Sequence, residues 1–445
     1  MNAFLLCLVS IFFVYLLAQR DLLNPATVFA GFAFLNASVF YVCGILGYGP
    51  SRAQDWWQFS EDFAPVAPQV LAFYAGQCLI AIIAFRIAKI DKKATTLNSE
   101  FFGKVNRQQL LSRLDRVLRS GHGSLCSLGF LFALSVLFIA HLAEVSPGTI
   151  WEYTGYLSIK TSEGAGITNP ALGVLHKMVP YIGIVLGMFL AYTWSRRLFI
   201  LFFFALLPSL YAFLFTLCLA SRIAVAILGI SGVALLVAGR SNRVIGLCFL
   251  LLALWTYQGV ILTRSLSGKD GTFGLGAIRS AMLSKEVLNP EGLSFMLFNV
   301  FDGGCNLGHA MLRAPMYYPL AYKIKSFNPG PSYWDDYDAV RLSAAHKILW
   351  NCPYSAYAEV FLFGAGWFFG FLAFMTAVLI NLCRFWERSR GIVGVMVLGV
   401  SYLSFVALHL YPIRHSFRFL LVTCIVTLLY PLFISRDRSI LVHDG

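Results

Sequence analysis

Charge is scarce in this chain: 12% of its 445 residues are Asp, Glu, Lys or Arg, against 58% that are apolar, at a mean hydropathy of +0.73. A water-soluble chain of this length cannot cover itself with so few charged groups, so a soluble enzyme with two or three domains is excluded. No CxxC occurs and no Cys/His cluster has metal-ligand spacing, which argues against a zinc or haem centre. No G-x-x-x-x-G-K-[ST] occurs, which removes an ATP-driven step of the usual kind. The first apolar run, NAFLLCLVSIFFVYLLAQR, has no basic segment before it and no small-residue cleavage site after it, and reads as a retained helix. Neither a metal nor an organic cofactor is expected.

What the chain does have is long apolar runs. Eleven are near the roughly 20 residues that cross a hydrocarbon core of about 30 Å: residues 2–18, 26–48, 66–88, 124–145, 173–194, 198–220, 223–238, 244–262, 353–382, 391–411 and 417–434. The expectation is an all-α polytopic membrane protein, residues 1–445 forming one transmembrane domain of about eleven helices. Basic residues set its orientation. With the C-terminus in the cytoplasm, 19 of the 34 lysines and arginines fall inside, many of them in the loop 89–123. The N-terminus then lies outside. The net charge of +13 becomes a signal of topology and of contact with anionic lipid, giving no support to nucleic-acid binding.

Residues 263–352 form a long outer loop rich in aromatics (Tyr317, Tyr318, Tyr322, Tyr333, Trp334, Tyr337, Trp350), too many for a solvated tail. Short helices on the outer surface are expected there, AVRLSAAHKILW (Ala339–Trp350) among them. The rings suit stacking on sugars, or an interfacial belt. YWDDYD contains Asp-x-Asp, which carries little weight on the outer side, where nucleotide sugars are scarce. Cys305 and Cys352 lie in this polar stretch, where an oxidising compartment would allow them to pair.

Ionisable residues near the spans gather at their outer ends: His141, Glu144, His176, Lys177, Arg222, Glu359 and His409. Mid-membrane positions are almost free of charge, unlike those of a proton-coupled transporter. Arg222 opens a helix, Arg264 follows one, and Arg414 and Arg418 stand in the connection YPIRHSFR. A guanidinium donates two parallel hydrogen bonds to phosphate oxygens and does not lose its proton. These four arginines on the side where positive charge is disfavoured suggest a grip on a lipid-linked diphosphate; snorkelling to headgroups is the alternative for any one of them. In NCPYSAYAEVFLFGAGWFFG, Ser355 and Glu359 share a helix face, and Gly364, Gly366 and Gly370 are expected to allow close helix packing. Glu359 suits either a base or a structural ion pair. His309, His346, His409, His415 and Asp302 are the other candidate bases.

These features resemble the Wzy-type O-antigen and capsule repeat-unit polymerases. The resemblance rests on the basic loop after the third helix, SR opening a helix (Ser221, Arg222), the long loop beginning at Arg264, the stretch PYSAYAEVFLFGAGWFFG and the arginine-bearing turn at Arg414. It implies an integral-membrane glycosyltransferase of the bacterial inner membrane. Such an enzyme moves a growing oligosaccharide from undecaprenyl diphosphate onto an incoming lipid-linked unit, with inversion, at the periplasmic face. Glu359, His309, His346 and His415 are the catalytic candidates it leaves, and Arg222, Arg264, Arg414 and Arg418 the substrate-binding ones. The implied partners are undecaprenyl-diphosphate-linked oligosaccharide, the bilayer, a chain-length regulator and a flippase. An O-antigen ligase uses the same donor and is the near alternative; a transporter is the alternative of another class.

Overall fold

The computed structural model describes the chain apart from residues 20, 49–61, 99–117, 156–157, 268–270, 286–288, 315–317, 330–335, 338, 341–353, 389–391 and 436–445. In chain order the helices are α1 (Asn2–Ala18), α2 (Pro25–Val39, continued by a π-helical segment Phe40–Ile45), α3 (Ala67–Asn98), α4 (Gly121–Val145) and α5 (Pro147–Trp151). Strand β1 (Tyr153–Thr154) follows, then α6 (Pro170–Ser195), α7 (Phe199–Cys218), α8 (Arg222–Ala238) and α9 (Arg243–Ser267). After strand β2 (Thr272–Phe273) come α10 (Leu275–Met282), α11 (Pro290–Phe301), α12 (Gly303–Arg313), α13 (Leu320–Ser326) and α14 (Ala356–Leu362). The chain continues through α15 (Ala365–Arg388), α16 (Ile392–Leu410) and α17 (Ile413–Ser435).

The helix starts are written locally. Asn24-Pro25 and Asn169-Pro170 each place a capping amide before a proline at the first helical position, where a missing N–H costs nothing. The Asn24 and Asn169 side chains accept from Ala26 N and Ala171 N at 3.0 and 2.9 Å. Seven helices among the described residues are long and apolar enough to cross a membrane: Pro25–Ile45, Ala67–Asp91, Gly121–Val145, Pro170–Ser195, Phe199–Cys218, Arg240–Arg264 and Ala365–Glu387. Asn2–Ala18, Arg222–Ala238 and Ser401–Leu410 are shorter apolar helices at places where the sequence suggests spans. The chain is thus an all-α protein of multi-pass membrane character.

Three local expectations change. The run 353–382 is not one helix: it breaks at Gly364, whose φ of +107° is open to glycine and strained for other residues, so α14 and α15 are separate. Helix α17 begins at Ile413, so Arg414 and Arg418 lie within its first turns and not in a connection. Helix α9 runs on to Ser267, so Arg264 sits in its last turn.

The chain forms two compact units, Met1–Val105 with Leu297–Arg390 and Val397–Gly445, and Asn106–Met296 with Gly391–Met396. In the first, α3 packs against α1, α2 and α15. Helix α12, part of the long loop, does not lie on a surface: Gly303 through Ala310 are all buried. A Cβ at Gly304 would lie 2.5 Å from the Phe40 Cβ, and one at Gly308 2.8 Å from a Phe63 ring carbon. Small residues four apart therefore let α12 approach these rings, as small-xxx-small pairs do between membrane helices. In the second unit α6, α8 and α9 pack together. A Cβ on Gly183 or Gly187 of α6 would come within 2.6 Å of Ile227 or Ser231 of α8.

Candidate functional site

Each unit carries basic residues at the ends of its helices. In the first, Glu359 lies one turn into α14, behind the Ser355 cap, whose hydroxyl accepts from Ala358 N at 3.3 Å. Its carboxylate is 3% exposed. One oxygen accepts from the Tyr322 hydroxyl, and the other from Ile413 N, at 2.8 Å, at the start of α17. A negative charge is favoured at both helix N-termini. Burial first, and the Glu359 charge second, push the Tyr322 phenol far above its ordinary value, so it stays protonated and donates. With a donor on each oxygen, Glu359 is placed to join α13, α14 and α17.

Arg414 follows directly. It is 1% exposed, and its Nη1 donates to the Lys325 carbonyl at 2.6 Å. Its guanidinium carbon lies 4.2 Å from the centre of the Tyr337 ring. That ring stacks on Tyr322, which stacks on Tyr318, with centroids 5.8 and 5.5 Å apart. These three tyrosines are buried against one another and form no platform for a sugar. The Lys323 ammonium donates to Phe363 O at 2.7 Å. Arg418 is one helical turn beyond Arg414 on the same face. Arg414 thus ties the start of α17 to the end of α13.

The remaining candidate bases of this unit are dispersed. His309 is buried in α12, edge-on to Phe63 at 5.0 Å. Asp302 is buried at the start of that helix. His409 is enclosed by the rings of Tyr74 and Tyr357, 5.8 and 5.1 Å away, and neither of its nitrogens has a hydrogen-bond partner among the described residues. His415 is exposed. Cys305 is a buried free thiol. His346, Cys352, most of AVRLSAAHKILW and much of YWDDYD lie outside the described residues.

The second unit organises Arg222 and Arg264 around a two-stranded ladder, which pairs Tyr153 with Phe273 and Thr154 with Thr272. Strand β2 follows the end of α9, which bears Arg264. The Tyr153 hydroxyl donates to Cys218 O at 3.0 Å, in the corner before α8, where Ser221 caps the helix that begins with Arg222. Beyond β1, a short turn, Ser158–Lys160, is held from below. His176 Nε2 lies 2.8 Å from Ile159 O, His141 Nε2 lies 3.0 Å from His176 Nδ1, and Tyr211 Oη meets His141 Nδ1. A carbonyl only accepts, so for neutral rings His176 donates to Ile159, His141 to His176, and Tyr211 to His141. The chain fixes Lys160 near Arg264. Burial, then the Arg264 charge, brings the Lys160 ammonium down from 10.5 to about 7.

Lys160 is thus a cluster member that the sequence does not single out; its only signal was position in an outer loop. The glycines after Glu359 also turn out differently from expectation. A Cβ at Gly364, Gly366 or Gly370 would meet nothing within 4 Å, so they serve no close packing. Among the described residues no group of three or more His, Cys, Asp or Glu could hold a metal. No protein-family model, curated protein or solved structure matches the chain.

Proposed function

We propose that the chain is a polytopic bacterial inner-membrane glycosyltransferase that polymerises undecaprenyl-diphosphate-linked oligosaccharide repeat units on the outer face. In this reading about eleven helices span the bilayer, the shorter apolar helices among them. The observation that supports it is that both units carry basic residues at helix ends: Arg222 and Arg264, the latter beside Lys160, in one, and Arg414 and Arg418 in the other. A transferase with a lipid-linked donor and a lipid-linked acceptor has two diphosphates to hold.

The chemistry needs little else. An acceptor hydroxyl attacks the anomeric carbon of the donor sugar, the carbon–oxygen bond to the diphosphate breaks, and the configuration inverts. The electron pair leaves with undecaprenyl diphosphate, whose developing charge is stabilised by guanidinium donors already in place. The hydroxyl proton goes to a base, for which His415 is the exposed candidate of the first unit. Glu359 serves to position Arg414. His309 is packed inside the helix bundle of its unit.

Deletion of the gene in its source strain tests the reading. Collapse of the lipopolysaccharide or capsule ladder to a single repeat unit is expected, as is the same loss with Arg222→Ala or Arg264→Ala at normal membrane levels. Bare core with polymer left on the carrier lipid would assign a ligase instead. An unchanged ladder would remove both and favour a transporter.

A further inference from the structure

Arginines also gather at the far end of the second unit. Helix α6 runs 26 residues, about 39 Å, from the end that carries His176 to Arg196 and Arg197 just past its C-terminus. Arg119, just before α4, donates through Nη2 to the Arg196 carbonyl at 3.1 Å, which holds one guanidinium beside the residue that precedes Arg197. The Arg196 guanidinium carbon lies 6.0 Å from the centre of the Tyr192 ring. Arg119 and Arg197 are exposed, and the Arg197 side chain makes no hydrogen bond or ion pair among the described residues. Residues 118–124 and 194–199 contain no Asp or Glu, so three like charges meet with no carboxylate from their own segments.

The backbone carries a second, independent sign. Helix α6 closes with Leu198 N donating to Thr193 O at 2.9 Å and Arg197 N to Trp194 O at 3.1 Å. This pair of bonds needs a left-handed residue at 197, where glycine is the usual occupant because a Cβ is strained there. Arg197 stands at that position with a φ of +56°. An unengaged guanidinium kept where glycine would be the more stable choice is placed to bind something.

What borders the corner decides the chemistry of that partner. Helix α7 starts two residues after Arg197 and exposes Phe199, Ile200 and Phe203. The Trp194 ring lies 6.2 and 5.3 Å from those of Phe199 and Phe202, and tryptophan is enriched at headgroup depth. A free anion or an acidic peptide would meet the guanidiniums alone. A lipid with a negatively charged headgroup meets both surfaces, its phosphate on the arginine forks and its acyl chains along α7.

We propose that the corner formed by Arg119, Arg196 and Arg197 binds one anionic phospholipid, its phosphodiester at the guanidiniums and its chains on the exposed face of α7. Arg240 and Arg243, exposed at the turn between α8 and α9, have the general attraction of basic ends for anionic membranes but not this corner. The bound lipid ties the start of α4 to the end of α6. In the expected orientation it belongs to the cytoplasmic leaflet, and its binding does not depend on sugar transfer.

The test melts the full-length, delipidated protein in dodecyl maltoside with added dioleoyl phosphatidylglycerol or dioleoyl phosphatidylcholine, and counts retained lipid by native mass spectrometry. Retention of one phosphatidylglycerol per chain is expected, with a rise in melting temperature that phosphatidylcholine does not give. Arg197→Gly supplies the residue that the turn prefers, so its lipid-free melting temperature should match or exceed the wild type while phosphatidylglycerol affinity falls about ten-fold. Arg119→Gln should show a similar fall, and Arg243→Gln little change. Equal shifts with the two lipids, unchanged affinity in both Arg197→Gly and Arg119→Gln, or an equal loss in Arg243→Gln would overturn the proposal. So would displacement of the lipid by glycerol phosphate or by hexaglutamate at comparable concentration, the first assigning the corner to a free anion and the second to an acidic protein segment.

Discussion

Lys160 shows how a single residue acquires a role from its surroundings. Its ammonium titrates at about 7 in the folded chain against 10.5 when unfolded. Between those values the unfolded chain binds the extra proton, so stability rises with pH across this window and the full penalty remains below about pH 7. Lys160→Met should therefore raise the melting temperature at pH 6 and change it little at pH 11, which a pair of detergent melts would show. A diphosphate arriving at Lys160 and Arg264 favours the charged amine, so binding should take up a proton near pH 7.5. Calorimetry in buffers of differing ionisation enthalpy would register that uptake, and Lys160→Met should abolish it. Glu359 illustrates the opposite case, a charge fully engaged. Removing the Tyr322 hydroxyl with Tyr322→Phe leaves a buried carboxylate oxygen short of a donor, at a cost of about 1–3 kcal/mol. Glu359→Gln should cost a similar amount, and the double variant less than the sum, because both changes break one hydrogen bond. Additive melting shifts in that cycle would refute the coupling.

Among the elements, the glycines divide into two kinds that look alike in the sequence. Gly304 and Gly308 of α12 face rings within 3 Å of where a Cβ would stand, whereas Gly366 and Gly370 of α15 face open space. Gly308→Leu is accordingly expected to overpack against Phe63 and lower stability by about 1–3 kcal/mol, while Gly370→Leu leaves it unchanged. Parallel unfolding of the two variants by heat or guanidinium would compare them directly. Close packing of α12 was not read from the sequence, where this loop was expected on the surface, because its partners Phe40 and Phe63 lie more than 200 residues earlier. In the same way, the pairing of β1 with β2 joins segments over 100 residues apart, and two residues per strand leave no alternation to read. The break at Gly364 was hidden because apolar residues continue through it.

For the whole molecule, the expectation is a C-terminus in the cytoplasm and the segment 263–352 outside. Fusions of alkaline phosphatase after residue 310 and of a fluorescent protein at the C-terminus should both be active in cells. An inactive phosphatase fusion would reverse the orientation and move every cationic cluster to the cytoplasmic face. The membrane character was legible from composition and run length, because lipid forces the backbone to satisfy its hydrogen bonds within each helix, which makes spans local properties. Placement of the arginines near helix ends was equally legible, since charge avoids the hydrocarbon. Tertiary structure alone decided how those charges are met: Arg414 by the Lys325 carbonyl and the Tyr337 ring, Arg264 by the nearby Lys160, whose turn the His141–His176 chain holds at Ile159. It also decided that Tyr318, Tyr322 and Tyr337 stack inward and that a Cβ at Gly366 or Gly370 of α15 would meet open space. The division has a physical reason. Burial in lipid depends on the residue and its neighbours in the chain, whereas a hydrogen bond, a stacked ring or an open hollow depends on groups that only folding brings together.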